Sequence, residues 1–130
     1  MDISQRIAEL KKQEGFQDNV GMILIHNGVV RSWSRNDRSD VAFLEVTPDY
    51  EKIAALREEY LQHPGIFEIL IEAKAGKFVP GDDLLFIVVA GDIREHIKPV
   101  LAALLDRIKA EAMTKREIPR TKGNSNASTP

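Results

Sequence analysis

Residues 84–108 read LLFIVVAGDIREHIKPVLAALLDRI, a stretch that joins the pattern of a buried strand to that of a long helix. Its first part, Leu84–Ala90, is an unbroken apolar run. Such runs are typical of strands buried on both faces, so this one predicts a central strand. The second part has apolar residues at helical spacing: Ile97, Leu101, Leu104 and Ile108. The spacing predicts a long helix that opens near Asp92 and extends toward Met113.

Two features modify this helix. Asp92 and Glu95 have the spacing of a capping box, which would satisfy backbone donors in the first turn. Pro99 lies inside the pattern, where proline removes a donor and crowds the preceding turn at a cost of about 3 kcal/mol. We therefore expect a kink at Pro99 or a helix that starts late.

The segment before this stretch is rich in β-forming residues. Two runs, Val20–His26 and Val29–Ser34, are separated by Asn27-Gly28, a pair that strongly favours a two-residue hairpin turn. A polar loop over residues 35–40 and a further strand, Val41–Thr47, follow. The sequence thus predicts a β-hairpin and then a third strand.

Further elements complete the predicted fold. Apolar spacing indicates a helix over residues 3–13, and Thr47 followed by Pro48 indicates the start of another. That second helix should end at the HPG sequence of residues 63–65, before a strand over Ile66–Lys74. The fold class is therefore α+β: a single domain with a mixed or antiparallel sheet and three main helices.

Length and composition exclude several classes of protein. The 130 residues correspond to one domain, and no apolar run approaches the ~18 residues of a membrane-spanning helix. The chain has no cysteine, which excludes disulfides, thiolate metal sites and a cysteine nucleophile. The N-terminal sequence shows no secretory signal, so we expect a cytoplasmic protein without membrane contact.

The remaining side chains favour basic chemistry. The three histidines form no metal-ligand pattern, and the sequence has neither a phosphate-binding glycine loop nor a nucleophile elbow. We therefore expect no metal and no other cofactor. Lysine and arginine are left to bind phosphates and carboxylates, and a desolvated lysine can act as a base or nucleophile.

Charge is unevenly distributed along the chain. Residues 1–106 hold 12 basic and 18 acidic residues (net −6), whereas residues 107–130 hold 6 and 2 (net +4). A basic C-terminal segment is typical of a chain that binds an anionic ligand or an acidic partner. It is also typical of a solvated helix end followed by a basic tail, with no binding role. Lys109 and Lys115 have the same two interpretations, since cations near a helix C-terminus stabilise it by ~0.3–1 kcal/mol. Few aromatic residues accompany the basic ones, which argues against nucleic acid.

A set of short motifs resembles a known family. The motifs are GxxxxxxGxVR in residues 21–31, the Leu44-Glu45 pair, GxxxPGD in residues 76–82, Arg94, and a basic pattern that runs from Lys109 to Lys115-Arg116-Glu117. In this combination the chain resembles the large, catalytic subunit of molybdopterin synthase from about residue 20 to residue 118. We expect one such domain over residues 1–118 and a flexible basic and polar tail over residues 119–130, with residues 121–130 disordered.

The resemblance implies an α/β-hammerhead type of fold and a homodimer. Each large subunit would bind one small ubiquitin-like sulfur-carrier subunit that ends in Gly-Gly, giving a heterotetramer. The thiocarboxylate at that terminus would enter a pocket of the large subunit, and its sulfur would pass to cyclic pyranopterin monophosphate to give molybdopterin. A chain without cysteine cannot carry a persulfide, which agrees with a sulfur donor that arrives on another protein.

The resemblance also implies roles for particular residues. The candidates are catalytic Lys109 and Lys115, substrate-binding Arg31, Arg94 and Arg116, and supporting His26 and Glu117. The two lysines correspond to the family's two important lysines. The first two arginines correspond to its phosphate- or pterin-binding arginines.

Several positions depart from the family pattern. Ile93 stands where many members have histidine, and His26 replaces a common aromatic residue. The interval between Lys109 and Lys115 is one residue shorter than the family pattern, and the aromatic stretch before Lys115 is missing. The alternative hypothesis is therefore a non-catalytic paralogue that binds the small subunit or an anionic pterin ligand.

The positions of Arg94 and Lys109 bear on the dimer. If both lie on one helix, their 15-residue separation spans about 22 Å at about 1.5 Å per residue. A pterin monophosphate is too short to touch both. Either Arg94 is simply an exposed residue of the first turn, or a second protomer brings its own Arg94 to the Lys109 site.

Overall fold

The computed structural model describes residues 1–120, so the disorder expected for residues 121–130 lies outside the described residues. The helices are α1 (Ile3–Lys11), α2 (Phe16–Asn19), α3 (Tyr50–Leu61) and α4 (Arg94–Glu111). The strands are β1 (Met22–Val29), β2 (Val41–Pro48), β3 (Ile66–Ala73), β4 (Gly76–Phe78), β5 (Asp83–Gly91) and β6 (Met113–Pro119).

All strand pairs are antiparallel, and they form two sheets. The first has the order β1-β5-β3, and the second has the order β4-β2-β6. This arrangement confirms the predicted α+β class. It differs from the prediction in having two sheets, and in adding the short helix α2 to the three longer ones.

Strand β5 lies at the centre of the first sheet, as its unbroken apolar run predicted. Residues 84–91 of this strand are all buried. Helices α3 and α4 pack on one face of the sheet, where Ile87 and Leu104 are both fully buried. Helix α1 covers part of the other face through Leu10. Burial of both faces explains why this strand has no polar alternation.

The predicted hairpin at Asn27-Gly28 is wrong. Strand β1 continues through both residues, which pair with Phe86 and Leu85 of β5. Of the predicted strand Val29–Ser34, Val29 is the last residue of β1, and residues 30–34 form a loop in which one bridge joins Trp33 to Asp40. Eight residues of pairing with β5 outweigh the local turn preference, because each adds a cross-strand contact that a tight turn would forfeit.

Both predicted helix caps also need correction. Thr47 and Pro48 complete β2, and α3 is capped instead by Asp49, whose side chain accepts a hydrogen bond from a helix backbone N–H. At α4 the N-cap is Ile93, not Asp92. Asp92 accepts a hydrogen bond from the Ile93 N–H at 2.6 Å and pairs with a histidine of the first turn. Side chains with competing partners do not follow the local capping pattern.

The end of α4 is the largest difference from the prediction. The helix contains Pro99 and ends at Glu111, and Met113 begins β6, which pairs with β2 along its length. The sequence of β6, MTKREIP, is too polar to indicate a strand. As a result Lys115 lies on a strand and not near a helix end.

Candidate active site

A cavity of about 290 Å³ lies where the two sheets meet the C-terminal end of α4. Its walls come from the end of β1, the loop that follows, strands β2, β5 and β6, and the last turn of α4. The buried residues Val30, Leu44 and Leu84 form an apolar part of its lining. An apolar wall lowers the local effective dielectric constant, which strengthens the attraction between nearby cations and an anion.

The two lysines reach this cavity from different elements. Lys109 occupies the last turn of α4, and the buried Ala112 turns the chain into β6. Successive side chains of a strand alternate between its faces. Lys115 and Glu117 therefore line the cavity, whereas Arg116 projects from the opposite face of β6.

Two arginines reach the same cavity from the loop after β1. Arg31 lines the cavity, and its Nε donates a 3.4 Å hydrogen bond to the carbonyl of Trp33. Arg35 also lines the cavity and was not among the candidates from the sequence. The one feature of the sequence that could have indicated Arg35 is the repeated arginine of this loop, at positions 31, 35 and 38.

Positive charge predominates among the lining residues. Four are cations, Arg31, Arg35, Lys109 and Lys115, and one is an acid, Glu117. Within residues 1–120, none of the four cations forms an ion pair with a carboxylate. The cavity therefore has uncompensated charge that suits an anionic ligand.

Clustering of cations changes the acidity of Lys115. Partial burial of its ammonium group lowers the pKa of Lys115, and the positive charges of Lys109 and Arg31 lower it further. The negative charge of Glu117 acts in the opposite direction. A lysine with a lowered pKa gives up its proton more readily, so Lys115 is suited to proton transfer.

His26 belongs to the cavity wall. Burial lowers the pKa of His26 from its usual value, and the nearby charge of Lys109 lowers it further, so both effects favour the neutral ring. Its Nε2 is buried and has no hydrogen-bond partner among the described residues. A Cβ added to Gly28 would lie 3.1 Å from this atom, so the glycine makes room for the imidazole ring.

Two candidate residues lie outside the cavity of their own chain. Arg94 is at the opposite end of α4, where its exposed side chain lies 3.6 Å from Glu95. Arg116 pairs with Glu45 of β2 at 2.7 Å. The structure thus brings together five of the seven candidates: His26, Arg31, Lys109, Lys115 and Glu117. The other two do not join them within one chain.

Two further classes of feature are not found in residues 1–120. No three side chains of histidine, aspartate or glutamate come together in a way that could hold a metal ion. No helix in this range is long and apolar enough to cross a membrane.

Comparison with known proteins gives one family. A family model described as "MoaE protein" matches residues 1–111, a range that includes Lys109 and ends before Lys115. No curated protein sequence matches the chain.

Several solved structures share the fold. A molybdopterin synthase from Staphylococcus aureus superposes with a TM-score of 0.72 at 21% identity, over 90% of this chain and 85% of that one. Molybdopterin cofactor biosynthesis protein E from Burkholderia multivorans gives 0.70 at 24% identity, over 92% and 82%. A complex of subunits 1 and 2 of the molybdopterin-converting factor from Helicobacter pylori gives 0.65 at 15%, over 92% and 80%.

Proposed function

The chain belongs to the MoaE protein family, the large subunits of molybdopterin synthase, and we propose that it is a catalytic, sulfur-transferring subunit. Its role therefore lies in molybdenum cofactor biosynthesis. The proposed reaction takes place in the cytoplasm and moves sulfur from a thiocarboxylate on a small partner to cyclic pyranopterin monophosphate. The observation that supports it best is the cavity with four cations, none of which is paired within residues 1–120.

The proposed roles follow from the charges of the two substrates. Lys109 contacts the thiocarboxylate, or the acyl intermediate that forms from it. Lys115 transfers a proton or binds phosphate, a role supported by its lowered pKa. Arg31 holds the anionic pterin. Preorganised cations in a site with little water act most strongly on charge that develops in the transition state, so we expect electrostatic stabilisation to dominate.

The proposed sulfur donor is a small ubiquitin-like subunit with a C-terminal Gly-Gly. A terminus of two glycines has no side chains to obstruct entry into a cavity of about 290 Å³. The Helicobacter pylori structure, which shares the fold, is a complex of two subunits of the molybdopterin-converting factor. We propose that this chain binds a partner of the same kind.

We also propose that the chain forms a homodimer with shared active sites. Arg94 and Lys109 lie near opposite ends of α4, about 22 Å apart at about 1.5 Å per residue. A single pterin monophosphate is too short to bridge that distance. In the proposed dimer, Arg94 of one protomer contributes to the cavity that contains Lys109 of the other.

Reconstitution tests the proposed catalysis. The full chain is mixed with thiocarboxylated small subunit and cyclic pyranopterin monophosphate, and the formation of molybdopterin is measured. We expect Lys109→Ala to lower the rate by a factor of about 10² or more, the usual effect of removing one preorganised donor. The matched control is Lys11→Ala, an exposed lysine in the last turn of α1 that does not line the cavity. Full activity in Lys109→Ala would refute the assignment.

The alternative is a non-catalytic paralogue that keeps the binding surface. Ile93 favours this alternative, because its side chain is 49% exposed beside Arg94 and cannot hydrogen-bond a substrate. In that case the small subunit would bind the chain and keep its sulfur when the pterin precursor is added. The same reconstitution therefore separates the two functions.

A further inference from the structure

The loop over residues 31–40, here called the arginine loop, has a defined conformation. The N–H of Val41 donates to the carbonyl of Ser32 at 2.9 Å and closes its base. The N–H of Ser34 donates to the carbonyl of Ser39, and the N–H of Arg38 donates to the carbonyl of Ser34, both at 2.8 Å. These bonds fix the backbone beside the cavity, so side chains on the loop have restricted directions.

Trp33 is the centre of this loop. The guanidinium carbon of Arg31 lies 4.9 Å from the centroid of its ring, and that of Arg38 lies 3.9 Å away. Trp33 itself does not line the cavity. Arg38 has a φ of +62°, a left-handed conformation that L side chains seldom adopt. The loop therefore accepts an unfavourable backbone angle at the residue whose guanidinium stacks on Trp33.

Arg35 occupies the turn of the loop and lines the cavity together with Arg31. Within residues 1–120 it has no carboxylate partner, and its charge adds to those that lower the pKa of Lys115. Guanidinium groups are planar forks that bind two oxygens at once, which suits phosphate better than a lysine does. Two such forks on one ordered loop can hold different oxygens of a single phosphate.

We propose that Arg31 and Arg35 form a two-arginine clip for the phosphate of the substrate, with Trp33 as a positioning residue that holds Arg31. Arg35 and Trp33 are the new members of the site. The identity of the phosphate as part of a pterin rests on the proposed function. The clip itself rests on the cavity lining and on the stacking geometry of the loop.

Titration of the full chain with inorganic phosphate tests the clip without turnover. The arginine Nε–Hε signals are followed by NMR, and we expect those of Arg31 and Arg35 to shift together. Arg35→Ala should weaken phosphate binding about tenfold, as loss of a charge-assisted hydrogen bond predicts. The control is Arg6→Ala, an exposed arginine on α1. Unchanged affinity in Arg35→Ala, or no phosphate binding by the wild-type chain, overturns the proposal.

A double-mutant cycle tests the role of Trp33. We expect Trp33→Leu to weaken phosphate binding by about threefold, because an exposed cation–π contact is modest, and Trp33→Phe to restore most of the loss. In a chain that already carries Arg31→Ala, Trp33→Leu should have no further effect. An equal loss in both backgrounds would assign Trp33 a general structural role and overturn its positioning role.

The reconstituted synthase separates this proposal from the proposed function. If the wild-type complex turns over, Arg35→Ala should raise KM for the pterin phosphate about tenfold and leave kcat nearly unchanged. An unchanged KM overturns the clip. If the wild-type complex does not transfer sulfur although phosphate binding depends on Arg35, the proposed catalysis fails and the clip stands.

Discussion

Mixing two inactive variants gives a quantitative test of the shared active site. In Arg94→Ala the proposed cavity loses the cation supplied by the partner, and in Lys109→Ala it loses the cation supplied by its own α4. The two residues are about 22 Å apart along the helix at about 1.5 Å per residue, so one ligand cannot use both from the same chain. Each variant alone should therefore form dimers in which both sites are defective.

The expected recovery follows from counting cavities. Equal amounts of the two chains, mixed at random, give about half of the dimers with one chain of each kind. In such a dimer one cavity carries both substitutions, and the other has wild-type Lys109 and wild-type Arg94. We expect about a quarter of the wild-type activity for the same total amount of chain. The assay is molybdopterin formation with thiocarboxylated small subunit, and differently tagged chains report heterodimer formation.

A second mixture provides the control. Lys109 and Lys115 line the cavity of the same chain, so Lys109→Ala and Lys115→Ala leave no mixed dimer with an intact cavity. That mixture should stay at the level of its parents. Background activity in the first mixture, with heterodimers confirmed, would refute the shared site. Recovery in the control mixture would refute the assignment of both lysines to one cavity.

Three further predictions follow from the charges and the core. A hydrogen bond from Arg107 lowers the pKa of Glu111 from 4.5 to about 2. The ionised Glu111 therefore stabilises the fold above pH 4.5, and this stabilisation is lost as the pH falls toward 2. Glu111→Gln should flatten the acid dependence of the free energy of unfolding, measured in urea. Arg31→Ala should raise the pKa of Lys115, measured by NMR titration, and an unchanged value would contradict the electrostatic cause. Leu104→Ala should lower the free energy of unfolding by about 2–5 kcal/mol, because the residue is 0% exposed in the core.

Elements with strong local signals could be predicted from the sequence. The apolar run of Leu84–Ala90 identified the central strand, because burial on both faces permits no other composition. The hairpin at Asn27-Gly28 failed because turn preference is local, whereas the pairing of these residues with β5 is decided by the tertiary fold. Strand β6 was missed for a related reason: it is an exposed edge strand, and such a strand can be almost wholly polar.

The site was only partly accessible to sequence reasoning. Lys109 and Lys115 became candidates through the family resemblance, since charge near a helix end explains them equally well. Arg35 could not be assigned from the sequence, because arginine recurs at positions 31, 35 and 38, and which of these side chains reach the cavity depends on the hydrogen bonds that close the loop. Lys115 and Arg116 can be assigned to opposite faces, one at the cavity and one away from it, only once β6 is known to be a strand.

The pairing of β6 with β2 constrains how the length of this segment can change. Val46 lies opposite Lys115, and Glu45 lies opposite Arg116. Deleting one residue before Lys115, with the helix end unchanged, would turn that lysine away from the cavity and bring Glu117 opposite Glu45, where two like charges repel. Deleting or inserting two residues would keep each side chain on its present face. Where the helix end and the pairing with β2 stay as they are, insertions and deletions between the helix and this strand should therefore preserve the cavity only in even numbers.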